Sequence, residues 1–221
     1  MISFKSFYRD RKHIFSRQYF SKYLSIKFII GSIDKLFFEL LNPTVPWLNK
    51  DAVKFLIKYT KKNDVYLECG SGQSTVWFAH RVKKIISIEH DFNWYEVVKQ
   101  KINVKRLKLD YIIAKTKKSY IQAIKNLDDE SVDICLVDGN WRADCIIESS
   151  RKVKVGGILI LDNAETCFPV TWKSNSYQTF WSERGCPDKA STLKAAKILK
   201  NWRMIVTGDV SQDTIFWIKQ V

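Results

Sequence analysis

Residues 67–80 read LECGSGQSTVWFAH, from Leu67 to His80. A strand-like run over 65–68 meets two glycines separated by one residue, then Ser74-Thr75 and an apolar stretch that predicts a helix over 75–82. A turn that carries no side chain at Gly70 and Gly72 lets its backbone come close to something else. Many ligand-binding sheets share this strand–glycine–helix step, so the surrounding chain has to identify it.

Outward from that turn the pattern is regular. Strand-like runs recur at 85–89, 109–114, 132–138 and 158–162, separated by helical stretches at 92–102, 120–127 and 142–153. Tyr95, Val98 and Ile102 give one helix its apolar face, and Ala143, Ile146, Ile147 and Val153 give another. Strands alternating with helices predict an α/β fold with a parallel sheet covered on both faces. After a helix with Ala195, Ile198, Leu199 and Trp202 aligned, two strands separated by Gly208 through Asp213 read as a terminal hairpin. The expected fold is a Rossmann-like, doubly wound sheet of five parallel strands plus a C-terminal antiparallel hairpin.

Upstream, residues 1–25 are basic and aromatic without a period. Ile26, Ile29, Ile30, Ile33, Phe37, Leu40 and Leu41 fall on one helical face, and Asn42-Pro43 to Pro46 stops that helix. Asn49 then caps a short helix through Lys61. The chain therefore divides into a basic N-terminal helical extension, 1–62, and a main domain, 63–221. The apolar face predicts a helix packed on the core; the alternative is a lid or a helix at a membrane surface.

At 221 residues, 46% hydrophobic and 14% aromatic, the chain sustains one substantial core and is not disordered. No apolar run approaches the roughly 18 residues of a membrane span, because Asp34, Lys35 and Glu39 interrupt the most apolar stretch. Peripheral membrane contact by the N-terminal segment stays open. Five cysteines without paired or ligand spacing predict core thiols and a cytoplasmic setting. The net charge of +14 suggests nucleic acid, but 28 of the 37 basic residues are scattered lysines, and arginine is the preferred base and phosphate reader. Nucleic acid is not the expected partner.

Ligands of such sheets sit beyond the carboxyl ends of the strands. Glu89 stands 19 residues after Gly70, where an acid accepts hydrogen bonds from ribose hydroxyls. A dinucleotide site wants a third glycine where Thr75 stands. Glu68 beside the turn would repel a pyrophosphate, yet it suits a cofactor with a cationic end, such as the amino group of S-adenosylmethionine.

Glu68-Cys-Gly70-Ser-Gly72-Gln-Ser74-Thr75, then Ser87-Ile-Glu89-His90-Asp91, Val137-Asp138-Gly139-Asn140 and Gly156-Gly157 through Asp162-Asn163, resemble the class I S-adenosylmethionine-dependent methyltransferases. The likeness is greatest to a small bacterial branch and covers roughly residues 43–221. It implies a seven-stranded sheet, the cofactor against Gly70–Gly72 with Ser74 and Thr75 in the same signature, and Glu89 on the ribose. It also implies His90 near the adenine and Asp138 at the mouth of the active site. The rival readings are an NAD-binding Rossmann domain and a basic methyltransferase-like module that holds RNA without catalysis.

Catechol-type O-methyltransferases have a similar Asp, then Asp-Asn, at these strand ends and bind a metal there. That similarity makes Asp138, Asp162 and Asn163 candidates for a magnesium site, since a hard cation takes oxygen ligands. Arg142 stands near that family's lysine; it stays protonated and would orient an anion rather than accept a proton. Without a metal, Asp138 is left as base or orienting group. Asp138-Gly-Asn-Trp lacks the Asn/Asp-Pro-Pro-Tyr motif of amino-group nucleic-acid methylation, and no Pro-Cys nucleophile follows strand four. The expected acceptor is a small molecule or glycan precursor methylated on oxygen. Residues 165–189, with Trp172, Tyr177, Phe180 and Trp181, read equally as a loop over the substrate and as a hydrophobic flap over the core.

Overall fold

The computed structural model describes residues 25–102, 108–169 and 188–221. At its centre lies β1 (Val65–Cys69), flanked by β2 (Lys84–Glu89) and β4 (Val132–Val137). With β3 (Lys108–Ile113), β5 (Val153–Leu161), β6 (Arg203–Gly208) and β7 (Asp213–Ile218) they form one sheet in the order β3-β2-β1-β4-β5-β7-β6. The first five strands run parallel; β7 pairs antiparallel with β5 and with β6. Strand order reverses between β1 and β4, the place where such sheets open to a ligand.

The central strands are buried on both faces, so their apolar residues run almost without interruption. Leu67, Cys69, Cys135, Val137, Leu159 and Leu161 point to one face, where α5 (Lys117–Lys125), α6 (Arg142–Lys152) and α8 (Lys189–Leu199) bring Tyr120, Ile124, Ile146 and Leu199. Tyr66, Ile134, Leu136, Ile158 and Phe216 point to the other, covered by α2 (Lys50–Tyr59) and α3 (Gln73–Ala79) through Val53, Leu56, Trp77 and Phe78. The helix α4 (Phe92–Lys101) follows β2, and a single turn, α7 (Ala164–Cys167), follows β5.

Two elements differ from the sequence expectation. The strand expected at 158–162 begins five residues earlier, because Val153 already pairs with Val132, with the register shifting before Ile134. Gly156, at φ +79°, sits within this strand instead of starting it. The larger correction concerns α1 (Ile26–Leu41), which has no buried residue. It touches the domain only along one side: Gly31 lies against Val210, Phe38 packs on the core, Lys35 bonds Ser211 at 2.7 Å, and Asp34 pairs with Lys50 at 2.9 Å. The core it was expected to pack on is covered on that side by α2 and α3. The helix α2 itself belongs to the core.

Cys69, Cys135, Cys145 and Cys167 are buried thiols that form no disulfide, as expected of core thiols. Trp172, Tyr177, Phe180, Trp181 and Cys186 lie outside the described residues.

Asn49 joins α2 to the terminal hairpin. Its Oδ1 accepts from the Ala52 amide at 3.0 Å, capping the helix, while Nδ2 donates to Thr214 Oγ1 at 2.9 Å. Asn49→Ala removes the cap and one of the two hydrogen bonds of the buried Thr214 hydroxyl, so it should lower the unfolding free energy by about 1–2 kcal/mol. Urea denaturation measures this, and an unchanged midpoint would mean the contact is made without net stabilisation.

Candidate active site

At the carboxyl end of β1 two backbones touch. Gly70 has φ +100°, and a Cβ there would lie 2.6 Å from Gly139 Cα and N. A Cβ on Gly139 would in turn meet Cys69 O, Gly70 Cα and the Tyr120 hydroxyl, each at 2.9 Å. The Gly70 amide donates to Ile88 O at 2.9 Å and the Asp138 amide to Cys69 O at 3.0 Å. Three strand ends are thereby drawn together, and only glycine fits at either point of contact. Gly72 differs: its φ of 176° suits any residue, and nothing lies within 4 Å of where its Cβ would be. It faces open space.

Glu68 lies beneath this turn with no exposed surface. Its carboxylate accepts from four hydroxyls: Ser87 at 2.6 Å, Ser74 at 2.8 Å, Tyr66 at 2.9 Å and Thr75. Thr75 Oγ1 also receives the Gly72 amide at 2.9 Å. Glu68 therefore does not face outward to an amino group, as its position beside the turn suggested; its oxygens are consumed by the loop and α3. Burial pushes its carboxyl up to about 7 despite the four donors, which favour the anion. Ser74 and Thr75, expected at the cofactor, reach this carboxylate instead, although Ser74 also lines the cleft.

Glu89, at the end of β2, is 3% exposed and organises the upper part of the turn. Oε2 accepts from the Ser71 amide and hydroxyl, both at 2.9 Å, and Oε1 from the amides of His90 at 2.7 Å and Asp91 at 2.9 Å. His90 Nδ1 is 2.8 Å from Oε1. It lies off the line of a hydrogen bond, so this buried nitrogen has no partner. Ser71 is gripped from two more directions: Tyr111 donates to its hydroxyl and the Trp94 indole to its carbonyl, each at 2.7 Å.

A cleft of about 150 Å³ opens beside this turn, lined by Trp47, Ser71, Gly72, Gln73, Trp94 and Asp138 among others. The two tryptophan rings stand 6.4 Å apart, centroid to centroid. Trp47, Ser71 and Tyr111 were not singled out from the sequence. Ser71 alone had a signal, its place between the glycines.

Asp138 and Arg142 form the far wall. Arg142 Nη2 bonds Asp138 Oδ1 at 3.0 Å and its carbonyl at 3.1 Å, Nε bonds Gly139 O at 3.0 Å, and Nη1 bonds the Asp162 carbonyl. One guanidinium thus ties the ends of β4 and β5 together. Burial works against its charge, but Asp138, Cys167 and Asp162 nearby outweigh that and raise its pKa. Desolvation raises the Asp138 carboxyl against the pull of Arg142. With the side chain 39% exposed, water screens part of that effect.

Each of the three oxygen ligands proposed for a cation is engaged by a protein partner. Asp162 is 2% exposed and takes the Thr214 hydroxyl at 2.6 Å; burial, then the charge of Asp138, holds its carboxyl well above the usual range. Asn163 turns to Gln212 at 3.4 Å, and Asp138 to Arg142. Among the described residues no group of three or more His, Cys, Asp or Glu side chains is placed to hold a metal ion.

Residues 67–164 match a family model described as a methyltransferase domain. A curated relative from Methanobrevibacter smithii, named a probable cobalt-precorrin-6B C(15)-methyltransferase (decarboxylating), is 33% identical over 103 residues. That alignment takes in 44% of this chain and 53% of the relative, so the chain spans about half the length of the protein it matches. An rRNA methylase from Streptococcus thermophilus superposes with a TM-score of 0.52 at 8% identity, covering 80% of this chain and all of that one. TehB from Haemophilus influenzae superposes at 0.51 and 14% identity, over 78% and 63%. At such identities the structures speak for the fold alone. Sequence match and fold agree: residues 67–164 match a methyltransferase domain, and the seven-stranded sheet with its antiparallel terminal hairpin is the methyltransferase Rossmann-like fold.

Because burial lifts Glu68 from 4.5 to about 7, the folded chain keeps a proton that the unfolded chain releases between those values. This contribution to stability is fully present below about pH 4.5 and is lost as pH rises to about 7. Glu165, also raised to about 7 by burial, acts in the same direction. Unfolding free energy should therefore be higher at pH 5.5 than at pH 7.5, and the difference should shrink in Glu68→Gln. An equal difference in that variant would show that Glu68 titrates normally.

Proposed function

We propose that the chain transfers a methyl group from S-adenosylmethionine to an oxygen of a small molecule or glycan precursor. The observation that carries this reading is the Gly70–Gly72 turn, clamped from below by Glu68 and from the side by Glu89, with an open cleft against Gly72. The residues present fit the cofactor. Gly72 leaves room for an approaching ligand, and Glu89 offers carboxylate oxygens where ribose hydroxyls would arrive. His90 stands beside Glu89, its Nδ1 2.8 Å from Oε1, where the adenine would lie next to the ribose. Glu68 serves as a positioning residue that holds the turn.

When bound, S-adenosylmethionine supplies an electrophilic methyl group on a sulfonium whose sulfur leaves as a thioether. The protein's task is to align the acceptor in line with that bond and take its proton. Asp138 suits the second task. It borders the cleft, is partly open to solvent, and is pushed by burial towards holding a proton, while Arg142 fixes its Oδ1. Arg142 itself cannot serve as a base, and it orients Asp138 through four hydrogen bonds, two of them to Asp138. That Asp138, Asp162 and Asn163 each bond a protein partner supports a reaction in which these side chains need no divalent cation. A small molecule is favoured as acceptor because the curated relative's name specifies one, and because Asp138-Gly139-Asn140-Trp141 lacks nucleic-acid methylation motifs.

Calorimetry with S-adenosylmethionine and S-adenosylhomocysteine should show binding of both, weakened roughly tenfold in Glu89→Gln by loss of an anionic acceptor. Binding of NAD in their place would overturn the reading. With an acceptor found by labelled-methyl screening of a metabolite extract, Asp138→Asn should lower kcat about 10²- to 10⁴-fold while leaving cofactor affinity nearly unchanged. Turnover should persist in excess chelator; its loss there would restore the metal to the mechanism.

A further inference from the structure

The 16-residue helix α1 carries its apolar residues on the side away from the domain. At 100° per residue, the contacts to the rest of the chain from Asp34, Phe38, Gly31 and Lys35 occupy one side. The opposite side is an arc of roughly 140° containing no charged or polar residue. Ile26, Ile30, Ile33, Phe37, Leu40 and Leu41 are among those that fill it, and their exposures run from 49% to 78%. A stripe of this width is what a helix normally turns to a core. Here the core lies on the other side, so something outside the described chain must cover it.

We propose that this ridge docks the protein on an anionic lipid bilayer, with α1 lying in the interfacial plane. Three observations select that occupant. The helix is amphipathic and too short to span, and among the described residues no helix is long and apolar enough to cross a membrane. Residues 1–24, which lead directly into it, hold Lys5, Arg9, Arg11, Lys12, Arg17 and Lys22 against a single acid, Asp10. The same residues include seven Phe and Tyr, so the composition combines positive charge with amphipathic rings, as headgroup-level segments do. Finally, the chain carries a net charge of +14. Pairing two copies through this face would bring like charges together, whereas an anionic surface is complementary.

The position of α1 gives the docking a consequence. It packs on the turn between β6 and β7 at the carboxyl end of the sheet, and the linker that follows it supplies Trp47 and Leu48 to the cleft. A bilayer against α1 would therefore lie near the mouth of the candidate active site. The docking does not rest on the methyl-transfer reading, because its determinants are outside the cleft.

Sedimentation of the full chain with vesicles of phosphatidylcholine containing phosphatidylglycerol tests the proposal. Binding should be at least roughly tenfold tighter than to pure phosphatidylcholine and should weaken when salt rises from 0.1 to 0.5 M, as the Debye length contracts. The double variant Ile30→Glu, Phe37→Glu should lose at least about tenfold in affinity for the anionic vesicles. Because both positions are exposed, its melting temperature and S-adenosylmethionine affinity should match the wild type, which separates lost docking from lost folding. Three results would overturn the proposal: no vesicle binding, vesicle binding indifferent to the double variant, or a dimer abolished by that variant in a protein that ignores vesicles.

Discussion

The carboxylate of Glu68 receives hydroxyls from four residues that belong to three elements: Tyr66 on β1, Ser74 and Thr75 on α3, and Ser87 on β2. An ionised carboxylate with no exposed surface is costly unless its lone pairs are met, and these hydroxyls meet them. The geometry is mutually enforcing. α3 can begin at Gln73 only if the chain turns immediately after Cys69, and that turn is held from within by Glu68. Thr75 closes the loop by returning its oxygen to the Gly72 amide. A polar cluster of this kind selects one conformation for the turn, though its net contribution to stability falls at neutral pH, where the carboxyl gives up its proton.

Above this layer the backbone contact between Gly70 and Gly139 brings the ends of β1 and β4 closer than any side chain would allow. The residues just beyond the strands take up unusual conformations in response. Trp141, at φ 53°, opens α6, and Asn163, at φ 45°, opens α7; both are left-handed. Strain of this sort gathers where a chain must turn sharply to present groups to a cleft. Arg142 follows Trp141 at once and spans from β4 to β5, so the strained turn delivers the guanidinium to the carbonyls it ties. Asp138 is fixed as a result, while Asp162 accepts from the Thr214 hydroxyl of the hairpin.

Periodicity made the sheet legible. Alternating strands and helices, and the two runs around Gly208 to Asp213, correspond to elements in the structure, and the positions of Gly70 and Glu89 at adjacent strand ends follow from the same alternation. Direction was less legible. Spacing puts Glu68 next to the turn but does not say whether it points into the loop or out of it; that depends on hydroxyls from residues as distant as Ser87. Asp162 and Asn163 look like paired ligands until the hairpin, some 50 residues later, places Thr214 and Gln212 against them. Gly156 and Gly157 resemble a strand boundary, yet β5 runs through both. The face of α1 misled for a related reason. An apolar stripe records that a surface avoids water without recording what covers it, and α2 and α3 already cover that side of the core.

The central claim is that the Gly70–Gly72 turn and Glu89 together receive the nucleoside end of S-adenosylmethionine. A crystal structure of the protein with S-adenosylhomocysteine tests it most directly. The account predicts the ribose hydroxyls within hydrogen-bonding distance of the Glu89 carboxylate, the adenine beside His90, and Glu68 still enclosed by its four hydroxyls. Ligand density elsewhere, with Glu89 unchanged in its contacts to Ser71, would contradict it.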